Sequence, residues 1–268
     1  MHRITTWAAT TALALSPLAL AATTTPAQAA PATTIFAKAG SYSVSAKANL
    51  KVAVAKEDEV TVTGRVSPKA AGQKVVLQQR VGTKRSWKQT GTARIKQAGT
   101  YVLKDRPTTP GTRQYRVVKP ASAGIRTGTS KPVTVVVYRW EKLGRRLSGP
   151  KTSIDVTSAT IATDYYGWSL VTAAAGTPSS IEYTLGRKCL EMRATYALTD
   201  AAASGSSGAI TVSTDGTARA THSLAVGTVV ADQVIDITGA FRLKFDLTTT
   251  ATPAAGAAVA QPEVLCTR

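Results

Sequence analysis

The chain has 268 residues, with 33 Lys and Arg against 15 Asp and Glu and a formal net charge of +18. Two cysteines and His222, the one histidine past residue 29, fall one short of the four ligands of a structural Cys/His zinc site, and no stretch shows helical periodicity of useful length. The charge sits in one half: 24 Lys and Arg meet five acids between Lys38 and Arg146, whereas eight meet ten acids from Gly149 onward. So sharp a boundary marks two domains with different partners, the first drawn to polyanions or anionic surfaces and the second not.

Met1-His2-Arg3 gives a short basic start, an apolar run follows from Trp7 to Ala22, and Pro26 precedes the small-residue triplet Ala27-Gln28-Ala29. This three-part layout predicts a signal peptide over residues 1–29, cut after Ala29 or after Ala30. Thr and Pro break the apolar run, which is too short for a spanning helix. Neither a lipoprotein cysteine nor a C-terminal hydrophobic tail is present in the sequence, so no transmembrane anchor is expected. The expected location is secreted, extracellular or associated with the cell wall. Outside the cell the basic half meets no nucleic acid. Its expected partner is membrane phospholipid or anionic cell-wall polymer.

Residues 30–47 are rich in Ala, Thr, Pro and Ser and read as a flexible leader. From Ala48 to Tyr138 short alternating runs follow: Val60-Thr61-Val62-Thr63-Gly64-Arg65-Val66, Lys74 to Val81, Trp87 with Thr92 to Ile95, Gly99 to Leu103, Thr112 to Val118, and Pro132 to Tyr138. Strands this short, with turn residues every 8–12 positions, predict a β-sandwich. The order Val60-x-Val62-x-Gly64-x-Val66-x-Pro68, Val75-x-Leu77, Trp87, Gly99-x-Tyr101, Tyr115-Arg116-Val117 resembles the immunoglobulin-like or fibronectin-like modules repeated in secreted actinobacterial proteins. That resemblance implies an immunoglobulin-like Greek key, a core role for Trp87, a corner tyrosine at Tyr115, and a spacing or adhesive task. Lys84, Arg85, Lys88, Arg94 and Lys96 form the densest basic region. They are expected to contact polyanions if they share one face, and to be ordinary solvated charge if they do not.

Residues 139–150 read as a linker, with Trp140 and Leu143 able to bury themselves in the edge of the second domain. Residues 151–268 return to strand patterns at Glu182–Leu185, Glu191–Leu198, Ala209–Val212, Ala218–Leu224, Val234–Ile237 and Phe241–Leu247, and Asp215-Gly216 marks a hairpin. Ile181-x-Tyr183-x-Leu185-Gly186-Arg187-x-Cys189, Ala194-x-x-Ala197-x-x-Asp200, Ile210-x-Val212-x-x-Asp215-Gly216 and Thr238-Gly239-Ala240-x-Arg242-Leu243-x-Phe245 resemble the carbohydrate-binding module family first noted at the N-termini of glycosidases. The resemblance implies a galactose-binding-like jelly roll that reads a glycan. The fold class expected for the whole chain is all-β, with two sandwiches after the signal peptide.

Cys189 and Cys266 are the only cysteines, and in an exported chain they are expected to form a disulfide. A catalytic thiol would need a neighbouring histidine. His222 is the one histidine past the signal peptide, on an alternating strand, and Gly205-Ser206-Ser207-Gly208 is not a nucleophile elbow. A surface strand histidine and no catalytic residues are expected. Asp155, Asp164, Glu182, Glu191, Asp200, Asp215, Asp232, Asp236 and Asp246 supply carboxylates by number, but a domain near 120 residues is small for a glycosidase cleft. Asp164 and Asp200 offer oxygens for a structural calcium, the one cofactor in view, although no loop carries a dense acidic cluster. Asp164, Tyr165, Tyr166 and Trp168 carry the sugar-binding expectation, as stacking faces beside a polar handle. The alternative is that Trp168 and one tyrosine belong to the core.

Overall fold

The computed structural model describes residues 40–268; the expected signal peptide, residues 1–29, and most of the leader lie outside the described residues. The described residues belong to one compact unit. They are all-β, with one 3₁₀ turn at Leu143–Arg145 and no α-helix among them.

Ten strands build the basic half: β1 (Ser43–Val44), β2 (Lys47–Ala48), β3 (Val52–Val54), β4 (Val60–Ser67), β5 (Lys74–Val81), β6 (Lys88–Arg94), β7 (Thr100–Asp105), β8 (Gly111–Lys119), β9 (Gly128–Thr129) and β10 (Val133–Lys142). One sheet groups β1, β2 and β7 around β4; the other runs β3–β10–β8–β5–β6, with β3 parallel to β10 and the remaining pairs antiparallel. Val60, Val62, Tyr101 and Leu103 of the first sheet meet Val75, Leu77, Tyr115, Val117, Val135 and Val137 of the second in one core. Period-two alternation places them there, since successive side chains of a strand leave on opposite faces. The Tyr115 hydroxyl donates to Asp105 Oδ2 at 2.6 Å, and burial, then this bond, pushes its pKa up.

Two boundaries differ from expectation. Residues 41–47 are not a free leader: Tyr42 is buried, and Val44 and Ala46 pack on the core, with short strands at Ser43–Val44 and from Lys47. Small residues concealed the alternation. Nor do residues 139–142 link separate bodies, because β10 continues through them and pairs with the last strand of the chain, Arg139 opposite Cys266 and Lys142 opposite Glu263.

The second half adds β11 (Lys151–Thr152), β12 (Ile154–Ile161), β13 (Asp164–Thr172), β14 (Ser179–Thr184), β15 (Cys189–Leu198), β16 (Ser207–Thr214), β17 (Thr217–Ala225), β18 (Val229–Asp236), β19 (Arg242–Thr249) and β20 (Ala257–Cys266). Sheet β12–β13–β20–β15–β18 covers sheet β11–β14–β19–β16–β17. Met192, Tyr196 and Val259 meet Ile181, Tyr183, Ile210 and Phe245 between them. Asp215 and Gly216 both take positive φ, 49° and 83°, at the expected hairpin between β16 and β17.

Candidate functional site

Two surfaces collect the unusual chemistry. The first is the outward face of β5 and β8. Gln78 lies opposite Arg116 and Arg80 opposite Gln114, out of phase with inward Leu77, Tyr115 and Val117. Arg80 Nε donates to Gln114 Oε1 at 2.6 Å and Arg116 Nε to Gln78 Oε1 at 2.8 Å. Each glutamine fixes one guanidinium and leaves its terminal nitrogens available. Both guanidinium carbons lie over the Trp87 ring, at 4.8 and 4.3 Å from its centre.

Trp87 is therefore not the core residue expected. It sits half-buried in the loop between β5 and β6, where the two arginines hold it on the outer face. Burial first and the Arg80 charge second pull the Arg116 pKa below the ordinary guanidinium value. Lys84 and Arg85 in the same loop and Lys88 at the start of β6 are exposed. None of these five cations takes part in an ion pair among the described residues. Four of the five acids of this half are engaged elsewhere: Asp58 with the Val54 N–H, Glu59 with Lys104, Glu141 with Arg139, Asp105 with Tyr115 and Thr90.

The structure splits the expected basic group. Lys84, Arg85 and Lys88 gather at one end of β6. Arg94 lies at the other end, six residues and roughly 20 Å away, where its Nη1 donates to the Gly72 carbonyl at 2.8 Å, and Lys96 lies in the turn beyond. Sequence reasoning missed Arg80, Arg116, Gln78 and Gln114. The alternation within Gln78-Gln79-Arg80 was visible, but the register that pairs it with β8 was not.

The second surface is the β12–β13 hairpin. Asp200 accepts the N–H groups of Ala162 and Thr163 at 2.7 and 3.0 Å and clamps the hairpin tip. Its oxygens are thereby committed to backbone, and among the described residues no group of three or more His, Cys, Asp or Glu gathers to hold a metal. Tyr165 is 73% exposed and Trp168 44% exposed, while Tyr166 is half-buried against Ala159, Ile161, Ala197, Ala258 and Ala260. The structure thus brings Asp164, Tyr165 and Trp168 to solvent and takes Tyr166 away.

Trp168 owes its exposure to a bulge. Thr157 pairs with Ser169 but Ala159 pairs with Tyr166, so Gly167 and Trp168 stand opposite one residue. Trp168 takes φ 62°, a strained value for a bulky residue. Arg145 stacks on its ring at 4.9 Å. A Cβ on Gly144 would lie 2.5 Å from the Trp168 carbonyl oxygen, so the 3₁₀ turn fits against the bulge only with glycine there.

Cys189 and Cys266 form the expected disulfide, with Cα atoms 4.0 Å apart, on paired positions of β15 and β20. Arg146 Nη1 lies 3.5 Å from the Cys266 sulfur, and burial is the main cause lowering its pKa. His222 lies on strand β17 as expected, half-buried between exposed Thr221 and Ser223. Its ring stacks on Tyr196 at 4.5 Å, its Nε2 is buried without a partner, and burial lowers its pKa. Asp215 accepts from the N–H groups of Phe241 and Arg242, which lowers its pKa, and Glu182 and Glu263 pair with Arg242 and Arg193.

No family model matches this chain, and no curated protein matches it.

Proposed function

We propose that the chain is an exported, non-catalytic binding protein of the cell wall or of a wall-associated glycan. In this reading the basic sandwich tethers an anionic polymer and the β12–β13 hairpin reads sugar. The observation that carries it is the cluster Arg80, Lys84, Arg85, Lys88 and Arg116, which has no acidic partner among the described residues. Like charges gathered without compensation raise the local potential and attract an anionic ligand. The committed acids and the enclosed His222 nitrogen favour binding over hydrolysis.

Binding of the chain to anionic wall polymer is expected to weaken steeply with salt, because exposed charges are screened within about 10 Å at 0.1 M ionic strength. Retention on immobilised polymer across a salt series measures this. No retention at low salt, or retention indifferent to salt, removes the electrostatic tether.

The sugar surface has its own test. Tyr165→Ala deletes an exposed ring, and Trp168→Gly deletes a ring while releasing its positive-φ strain. Both variants should keep stability within about 0.5 kcal/mol and lose most glycan retention. Melting curves beside a glycan array show whether binding and stability separate. Unchanged glycan binding in both variants rejects the hairpin as the reader.

A further inference from the structure

The loop between β5 and β6 flanks a small open cavity of about 70 Å³ lined by Gln79, Arg80, Val81, Lys84, Ser86 and Lys88. A water needs about 10–15 Å³ of such space, so a group of a few heavy atoms fits. Its polar lining is built to donate. Arg80 spends Nε on Gln114, which leaves its terminal nitrogens. Gln79, in phase with the inward Tyr115, spends its carbonyl oxygen on the buried guanidinium of Arg113. Lys84 and Lys88 add two ammoniums and Ser86 a hydroxyl. None of the residues lining the cavity is acidic.

We infer that this cavity binds one phosphate group of an anionic polymer. The inference rests on the tethering role proposed above and assigns its chemistry. Four donor groups, three of them cationic, suit a phosphoryl group, with three strong acceptor oxygens and up to two negative charges, better than a carboxylate with two oxygens and one charge. Charge-assisted bonds from three cations supply the affinity. Trp87, held by Arg80 and Arg116 beside the cavity, keeps the arginine arms from relaxing apart.

The test is titration of the full chain with inorganic phosphate at constant ionic strength, read at the Trp87 indole N–H by NMR. A saturable shift of Trp87, with Trp140 and Trp168 unmoved, is expected. Dimethyl phosphate tells the two sources apart. Tighter binding of inorganic phosphate marks a terminal group and tighter binding of the diester a bridging one, and either supports the site.

Lys84→Ala/Lys88→Ala should weaken phosphate binding at least tenfold. Arg94→Ala/Lys96→Ala, at the far end of β6, should leave it unchanged. No saturable shift, unweakened phosphate binding in the double-lysine variant, or glucuronate binding as tightly as phosphate overturns the assignment. The two readings fail separately. Polymer retained by a chain that ignores free phosphate sinks the cavity and spares the tether; phosphate bound by a chain that ignores polymer does the reverse.

Discussion

Replacing Cys189 and Cys266 together by alanine should lower the unfolding free energy by about 4 kcal/mol. The bridge spans 77 residues, and closing so long a loop removes entropy from the unfolded chain chiefly. The native strands do not depend on the bridge for pairing. β20 is hydrogen-bonded to β10 and β13 on one flank and to β15 along the other. The variant should therefore keep its far-ultraviolet spectrum and strand register in buffer, while its denaturant midpoint falls. A drop under 1 kcal/mol would show that the reduced ensemble is already constrained, and a changed native spectrum would show that the bridge shapes the fold itself.

Strand content and the disulfide were legible because each depends on local pattern or simple counting. Val60, Val62 and Val66 alternate in the sequence and face the core, and two cysteines allow one bridge. β20 was not legible, although it is the most connected strand. Its core is Ala257-Ala258-Val259-Ala260, small residues that carry little hydrophobic signal, and Gln261-Pro262 reads as a breaker. The chain tolerates that proline because Arg193 pairs with Glu263 but Thr195 pairs with Ala260, leaving Gln261 and Pro262 in a bulge with Gln261 at φ 41°.

The same limit applied to the sites. Aromatic residues next to a glycine marked the β12–β13 hairpin, yet only the bulge decides that Trp168 leaves the core and Tyr166 does not. Trp87 failed for the opposite reason. A lone tryptophan between two strands suggests core, and the arginines that draw it outward come from β5 and β8, seven residues before it and 29 after. Cross-strand register is a tertiary quantity and is invisible to local periodicity.

Leu143→Ala should destabilise the chain by about 3 kcal/mol, whereas Leu147→Ala, four residues on, should change stability by less than about 0.5 kcal/mol. Leu143 is fully buried in the core of the second half with Ile154, Leu170 and Val264, and Leu147 is 97% exposed. The pair controls for residue type, so the difference reads chiefly burial. It also reads the joint. β10 carries the chain from one core to the other without a break, Trp140 stacks under Arg193 at 4.1 Å, and Arg193 pairs with Glu263 at 2.6 Å. A strand shared by both halves cannot leave one core while it stays paired in the other. Denaturation followed by both tryptophan fluorescence and circular dichroism should therefore show one transition, which Leu143→Ala shifts as a whole. Two separated transitions, only one of them moved by the substitution, would mean that the shared strand does not couple the halves.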